Sequence, residues 1–169
     1  MKSLDELMAD KIYELVNYLL AKKIKPDMKL DTVTSLTEAD IKKLKEKQGI
    51  EGVILDIDET VRKDMKSIPK CNQEWIEMLK SYFKVIVVSN GVDPKIEEFF
   101  RLQGIDYIGF AHKPMKRNFI KACEMMGMSP EKVLVIGDSL WADIFGGQRN
   151  NMKTALVKRV KDEGIEIED

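Results

Sequence analysis

From Gly52 onward, short apolar runs alternate with longer segments of helical periodicity, and this alternation constrains the fold more than any other feature. The apolar runs are continuous, which is typical of strands buried on both faces. Strands are predicted at residues 53–57, 85–89, 107–110, 133–136 and 154–157. Helices are predicted between them at 72–82, 94–103, 115–126 and 140–149. This order predicts an α/β fold: a Rossmann-like three-layer sandwich with a five-stranded, mostly parallel sheet and right-handed crossover helices.

Two amphipathic helices are predicted ahead of the sheet, over residues 3–24 and 38–47. Ser3 with Glu6 forms a capping-box pattern, and Thr37 is the expected N-cap of the second helix. We expect residues 1–48 to form a helical extension that packs on the core, and residues 49–169 to form the main domain. The first helix is expected to cover the core or an oligomer seam, with peripheral membrane contact as the alternative. The acidic tail, residues 161–169, is expected to fray.

Composition excludes several classes of protein. An apolar fraction of 44% and a charged fraction of 34% fit a globular chain rather than a disordered one. The formal net charge of -1 provides no global attraction to nucleic acid, so no nucleic-acid partner is expected. Cys71 and Cys123 have no metal-binding spacing, which favours reduced thiols. We therefore expect a cytoplasmic protein.

The residues that follow each strand are the candidate site, because ligands in open α/β sheets bind beyond the carboxyl ends of the strands. Clustered carboxylates at such an edge would repel one another and raise their own pKa values unless a cation balances them. A hard divalent cation, Mg²⁺, is the expected partner, with a lysine as a second positive charge. In strand order the candidates are Asp56 and Asp58, Ser89 and Asn90, Lys113, and Asp138 and Asp143.

The segments "DIDET", "SN", "KP" and "GDSLWAD" resemble the four motifs of the haloacid dehalogenase-like (HAD) phosphohydrolases. The nearest resemblance is to subfamily IIIA, the YqeG type, which is akin to phosphatidylglycerophosphate phosphatases. It runs from about residue 26 to residue 157. Glu59 departs from the pattern, since many members carry Asn or Gly there. "DxDET" also resembles phosphatases of phosphoserine tails, but the spacing of Asp138 and Asp143 favours subfamily IIIA.

The resemblance implies a role for each motif residue in phosphate chemistry. Asp56 would be the nucleophile that becomes an aspartyl-phosphate. Asp58 would protonate the leaving oxygen and then activate water. Ser89 and Asn90 would bind the phosphoryl oxygens. Lys113 would offset the charge of the nucleophile and of the phosphoryl group.

The resemblance also implies a Mg²⁺ site. Asp56 and Asp138 would ligate the ion directly, and Asp58 would contribute its backbone carbonyl. Asp143 would act through a water molecule or would hold Lys113 in place. The predicted cofactor is therefore Mg²⁺.

The intervals between motifs leave no room for a large cap domain, since a folded domain needs about 50 residues. An open mouth suits a bulky substrate such as a lipid head group or a protein, or requires a neighbouring subunit as cover. The function that the resemblance implies is a Mg²⁺-dependent phosphomonoesterase acting on a phosphorylated substrate such as a phosphatidylglycerophosphate-like lipid, at the membrane periphery. The alternatives are a phosphatase of small soluble or protein phosphates, and a non-catalytic adaptor that binds a partner through its first helix.

A charged segment follows the nucleophile motif, at residues 59–71. It forms either a solvated loop or a basic rim that attracts phosphate-rich substrate. Its basic residues are Arg62, Lys63, Lys66 and Lys70. Two aromatic residues, Trp75 and Trp141, are expected to pack, with the mouth of the site as the alternative location of Trp141.

Overall fold

The computed structural model of the protein describes residues 3–63 and 65–158, without the side chains of Asn17 and Ala21. Its centre is a six-stranded sheet in the order β1-β6-β5-β2-β3-β4, with every neighbouring pair parallel. The strands are β1 (Met28–Leu30), β2 (Gly52–Leu55), β3 (Lys84–Val88), β4 (Asp106–Ile108), β5 (Val133–Gly137) and β6 (Lys153–Val157). The acidic tail, for which fraying is predicted, lies outside the described residues.

The prediction of five strands is wrong by one, because β1 adds a sixth strand at the edge of the sheet. β1 pairs with β6, so that Met28 lies beside Ala155. It has only three residues, and its central residue, Lys29, is exposed. It therefore lacks the continuous apolar run that marks strands buried on both faces. The other five strands lie within two residues of their predicted positions.

Helices cover both faces of the sheet, which confirms the three-layer sandwich. They are α1 (Leu4–Ala21), α2 (Glu38–Gln48), α3 (Lys70–Tyr82), α4 (Pro94–Leu102), α5 (Lys116–Met126) and α6 (Gly146–Gln148). A π-helix, Leu140–Phe145, leads into α6 where the sequence predicts one continuous helix. Pro94 at the start of α4, and left-handed Gly49 and Gly127 at the ends of α2 and α5, match the predicted boundaries.

Alternate residues of each central strand face two separate apolar cores. In β2, Val53 and Leu55 pack in the core that includes buried residues of α2, α3 and α4. Ile54, between them, packs in the core that includes α5. This two-sided burial explains why the strands read as continuous apolar runs in the sequence.

The first helix has its predicted start, where the Ser3 side chain accepts a hydrogen bond from the Glu6 amide and Glu6 reaches back to the Ser3 amide. α1 lies against the π-helix. Much of its apolar surface nevertheless faces solvent, with side chains 47–75% exposed. These residues are Leu4, Leu7, Met8, Ile12, Leu15, Tyr18 and Leu19.

The division of the chain at residue 48 stays a prediction. Within residues 3–48, α2 contributes Ile41 and Leu44 to a buried core, and β1 is a strand of the sheet. Between Asp58 and Ser89, the described residues form a short loop, α3 and β3, and between Ser89 and Lys113 they form α4 and β4. Neither described interval contains a second folded unit, which confirms the predicted lack of a large cap domain.

Candidate active site

The carboxyl ends of three strands lie side by side, because β2 is flanked by β3 and β5. Asp56 follows β2, Ser89 follows β3, and Asp138 follows β5 directly. The strand order also reverses around β2, which makes this edge a topological switch point, the usual ligand site of such sheets. The fold therefore brings side chains from three separate motifs to one edge.

Lys113 is the buried centre of this cluster. Its Nζ donates to Oδ1 of Asp56 at 2.8 Å and to Oδ1 of Asp143 at 2.6 Å. All three side chains are almost fully buried. Buried charges need partners of the opposite sign, and this ammonium satisfies two carboxylates at once. Of the two roles predicted for Asp143, the structure shows the contact that holds Lys113.

Thr60 orients the nucleophile candidate, a role that the sequence analysis missed. Its hydroxyl donates to Oδ2 of Asp56 at 2.9 Å, so both oxygens of Asp56 are held. The hydroxyl also lies 3.4 Å from Oδ1 of Asp138. The sequence signal for this contact was spacing, since Thr60 follows Asp56 by four residues. The loop brings the two side chains together because the amides of Thr60 and Val61 donate to the Ile57 carbonyl.

Three carboxylates meet at a position suited to a cation. One oxygen each from Asp56, Asp138 and Asp143 lie within 4.8 Å of one another. The donor set contains only oxygen, which suits a hard cation such as Mg²⁺. The Asp58 side chain is not in this group, so a contribution by Asp58 would come from its backbone carbonyl, as predicted. Three acids against the single ammonium of Lys113 leave surplus negative charge for a cation to balance.

Burial and charge shift the pKa values of Asp143 and Lys113. Burial raises the pKa of Asp143 to about 6, aided by the negative charge of Asp56 and opposed by Lys113. For Lys113, burial opposes the charged form, but the charges of Asp143 and Asp56 outweigh it and raise the pKa above its ordinary value. Lys113 is thus a fixed positive charge at neutral pH, as phosphate binding requires.

The predicted phosphate-binding turn follows β3. Ser89 is buried, and its Oγ accepts a hydrogen bond from the Gly91 amide at 3.2 Å. Asn90 holds the neighbouring loop, because its Oδ1 accepts from the Lys113 amide at 2.7 Å. The part of Asn90 in phosphate binding stays a prediction. Tyr107, on neighbouring β4, is partly buried, and burial raises the pKa of Tyr107.

The charged segment after the nucleophile is not a uniform basic rim. Arg62 is buried, so the prediction of an exposed residue is wrong for Arg62. Lys66 and Lys70 are exposed, as the prediction expects. Glu59 has a left-handed backbone, with φ of 60°, a conformation that Gly and Asn adopt more easily. Asn or Gly, which the resemblance implies at this position in many members, would adopt this backbone with less strain.

Two aromatic rings stack beside the site. The rings of Trp141 and Phe145, both in the π-helix, lie 5.0 Å apart with an interplanar angle of 9°. Trp141 nevertheless remains 40% exposed. It therefore packs on one ring face, as expected, and its location at the mouth of the site stays a prediction.

Comparisons with known proteins show the family of the chain. Residues 31–151 match the family model of the haloacid dehalogenase-like hydrolases. The chain is 36% identical over 141 residues to a probable phosphatase, YqeG, of Bacillus subtilis, covering 82% of this chain and 80% of that relative. It is 39% identical over 92 residues to a phosphoglycolate phosphatase of Aquifex aeolicus, covering 48% of this chain and 42% of the relative.

Solved structures share the fold. An uncharacterized protein from Listeria monocytogenes superposes with a TM-score of 0.53 at 21% identity, covering 70% of this chain and 86% of that one. A HAD family enzyme from Bacteroides thetaiotaomicron, solved as a magnesium complex, superposes with a TM-score of 0.52 at 13% identity, covering 69% and 97%.

Fold and site together define a phosphate-handling hydrolase with its candidate active site at the carboxyl edge of a parallel sheet. The chain belongs to the haloacid dehalogenase-like hydrolase family, which confirms the resemblance seen in the sequence motifs. Within that family it is a phosphatase of the YqeG type.

Proposed function

We propose that the protein is a Mg²⁺-dependent phosphomonoesterase that forms an aspartyl-phosphate on Asp56. The observation that carries this proposal is the environment of Asp56. Its carboxylate is buried, held on one oxygen by Lys113 and on the other by Thr60, and close to Asp138 and Asp143. A fixed carboxylate beside a permanent positive charge can approach an anionic phosphate, because the charge repulsion is offset.

The proposed reaction has two steps. An oxygen of Asp56 bonds to phosphorus while the bond from phosphorus to the leaving oxygen breaks. Asp58 gives its proton to that oxygen, so the product leaves as a neutral alcohol. Water then attacks the aspartyl-phosphate and loses a proton to Asp58, which releases inorganic phosphate and restores Asp56. Lys113 and the turn at Ser89 hold the phosphoryl oxygens in both steps.

The residues present fit Mg²⁺, because three carboxylate oxygens converge and the single ammonium of Lys113 does not balance their negative charge. Asp56, Asp138 and the Asp58 carbonyl would hold the ion. The contact with Lys113 favours for Asp143 the role of lysine anchor over that of direct ligand. When bound, Mg²⁺ supplies positive charge for the phosphoryl oxygens.

Hydrolysis of p-nitrophenyl phosphate with and without Mg²⁺ tests the proposal. We expect the wild type to be active only with Mg²⁺, and Asp56→Asn to lose more than about 1,000-fold in kcat. Asp106→Asn, at the exposed start of β4, is the matched control and should retain full activity. Equal activity of the wild type and Asp56→Asn would overturn the nucleophile assignment.

We further propose that the substrate is a phosphomonoester with a large apolar part, such as a phosphatidylglycerophosphate-like lipid. Exposed apolar side chains follow the carboxyl ends of several strands, and such patches mark binding surfaces. They are Met65, Val92, Phe110, Met115 and Trp141. The alternative is a small soluble phosphate, the substrate type that the names phosphoglycolate phosphatase and glyceraldehyde 3-phosphate phosphatase give for two relatives.

A panel of lipid phosphates in detergent, small sugar phosphates and a phosphoserine peptide separates these substrates. We expect kcat/KM to be at least tenfold higher for the lipid phosphate. A preference for the small phosphates would discard the lipid proposal and leave the mechanism intact.

We propose that α1 makes peripheral contact with the membrane surface from the cytoplasmic side. Its exposed apolar residues support this, and Lys22 and Lys23 follow the helix. No described helix has the length and apolarity required to cross a bilayer. Leu15→Glu should abolish co-sedimentation with anionic vesicles, whereas Met125→Glu, an exposed apolar position on α5, should not. Concentration-dependent dimers that Leu15→Glu disrupts would instead assign this face to a second copy of the chain.

A non-catalytic adaptor is the second candidate function, favoured only by the exposed face of α1. An adaptor would show no turnover on the phosphate panel, and Leu15→Glu would abolish capture of its partner. Turnover that depends on Asp56 would exclude this candidate.

A further inference from the structure

Arg62 is buried directly beside the proposed general acid. It is 4% exposed, and arginine is almost never buried without partners. Its Nε donates to Oδ1 of Asp58 at 2.8 Å, and its Nη1 donates to Oδ2 of Asp93 at 2.8 Å. Nη1 also donates to the Lys66 carbonyl at 3.1 Å. One guanidinium therefore joins the Asp58 carboxylate to two other parts of the chain.

The local backbone explains how Arg62 reaches back to Asp58. The two residues form a β-bridge, and the Glu59 amide donates to the Arg62 carbonyl at 2.8 Å. Glu59, in its left-handed conformation, lies in the tight turn between them. The turn places the Arg62 side chain and the Asp58 carboxylate next to each other without a long flexible connection.

Asp93 is a firm anchor for the other side of the guanidinium. It is the N-cap of α4, where its Oδ1 accepts from the Lys95 amide at 3.0 Å. The hydrogen bond from Arg62 holds the pKa of Asp93 below its usual value. Because the guanidinium is planar and its donors have fixed directions, a fixed Asp93 also fixes where Nε points.

We propose that Arg62 is a positioning residue that holds the Asp58 carboxylate in place for proton transfer to the leaving group. The inference rests on the proposed role of Asp58 as general acid. Arg62 occupies Oδ1 only. The other oxygen, Oδ2, lies next to Gly91 in the turn after Ser89. A Cβ atom added to Gly91 would be 3.4 Å from this oxygen. Oδ2 is thus the oxygen that carries the transferred proton, while Arg62 restrains rotation of the carboxyl group through Oδ1.

Leaving-group dependence separates positioning of an acid from a general effect on the fold. An alkyl phosphate such as glycerol phosphate needs protonation of its leaving oxygen, whereas p-nitrophenolate leaves without it. The value of kcat/KM reports the step up to phosphoryl transfer in both cases. For Arg62→Gln we expect kcat/KM to fall at least tenfold more on glycerol phosphate than on p-nitrophenyl phosphate. Arg62→Lys should restore part of the loss.

Asp93→Asn tests the same inference without changing Arg62 or Asp58. Asn is as good an N-cap as Asp, so α4 keeps its cap while the charge that anchors Arg62 is removed. We expect the same selective loss on glycerol phosphate, smaller than for Arg62→Gln. This variant keeps the inference testable if Arg62→Gln does not fold. Arg101→Gln, at an exposed position of α4, is the control and should leave kcat/KM unchanged for both substrates.

Equal losses on both substrates in the variants would overturn the inference, because they would indicate a structural role alone. Unchanged activity on both substrates would also overturn it. Failure of the proposed function has a different result, which is wild-type activity that survives Asp56→Asn. The variants should bind Mg²⁺ as the wild type does in a thermal-shift titration, since Arg62 contacts none of the three clustered carboxylates.

Discussion

The active-site cluster buries charged side chains, whereas the first helix exposes apolar ones. At the sheet edge, two carboxylates and an ammonium are buried and contact one another. On α1, leucines, an isoleucine and a methionine are about half exposed or more. Burial of charge and exposure of apolar surface both cost free energy relative to the reverse arrangement.

The comparison shows which parts of the molecule depart from the arrangement that stability alone would favour. A buried charge network at the edge of a parallel sheet is typical of a catalytic site, where shifted pKa values and fixed charges concentrate. An exposed apolar helix face is typical of a docking surface. The two regions adjoin, because α1 lies against the π-helix that contains Asp143. Docking through α1 would therefore occur next to the site.

The largest expected effect is on the buried cluster. Lys113→Met should abolish phosphatase activity and lower the free energy of unfolding by about 3–5 kcal/mol in the absence of Mg²⁺, because it leaves two buried carboxylates without their cation. Urea denaturation at pH 7 measures the change. Lys121→Met, at an exposed position of α5, should change stability by less than about 0.5 kcal/mol. A loss under about 1 kcal/mol for Lys113→Met would contradict the charge-balance account.

A smaller effect is expected for the pH dependence of Mg²⁺ binding. The pKa of Asp143 is raised to about 6, so this residue is protonated at pH 5 and ionised at pH 7 in the metal-free protein. Mg²⁺ favours the ionised form, so its Kd should rise about tenfold per pH unit below pH 6. Isothermal titration calorimetry at pH 5, 6 and 7 measures this. Asp143→Asn should flatten the dependence, and a Kd that stays constant in the wild type would refute it.

The smallest effect is expected on α1. Leu15→Ala removes a side chain that is 57% exposed and should lower the free energy of unfolding by less than about 0.5 kcal/mol. Leu44→Ala, at a buried position of α2, should lower it by about 2–5 kcal/mol. Thermal and urea denaturation of the isolated protein compare the two. Equal losses would show that α1 is buried in solution, and the contrast between the two regions would disappear.

Much of the fold was predictable because its signals are local. Continuous apolar runs marked five strands, and capping residues such as Thr37 and Gly127 marked helix ends. β1 was missed because an edge strand of three residues has no such run. The candidate site was predictable because parallel strands end at the same edge, so residues that follow them must converge.

The contacts of Lys113 within the site were not predictable, because they join residues far apart in the chain. Lys113 reaches Asp56 across 57 positions and Asp143 across 30. The two interpretations of the charged segment, a solvated loop or a basic rim, both leave Arg62 exposed, since sequence alone does not distinguish a buried arginine from an exposed lysine. Only the turn around Glu59 and the nearby N-cap of α4 reveal its partners.

The sequence alone determined the strand–helix order, the family motifs and the set of acids at one edge, since each depends on residue type and short spacing. Only the tertiary structure decided which charges pair, which arginine is buried and which apolar face stays in solvent. The physical reason is that burial and charge pairing depend on which distant segments pack together, whereas secondary structure depends largely on near neighbours.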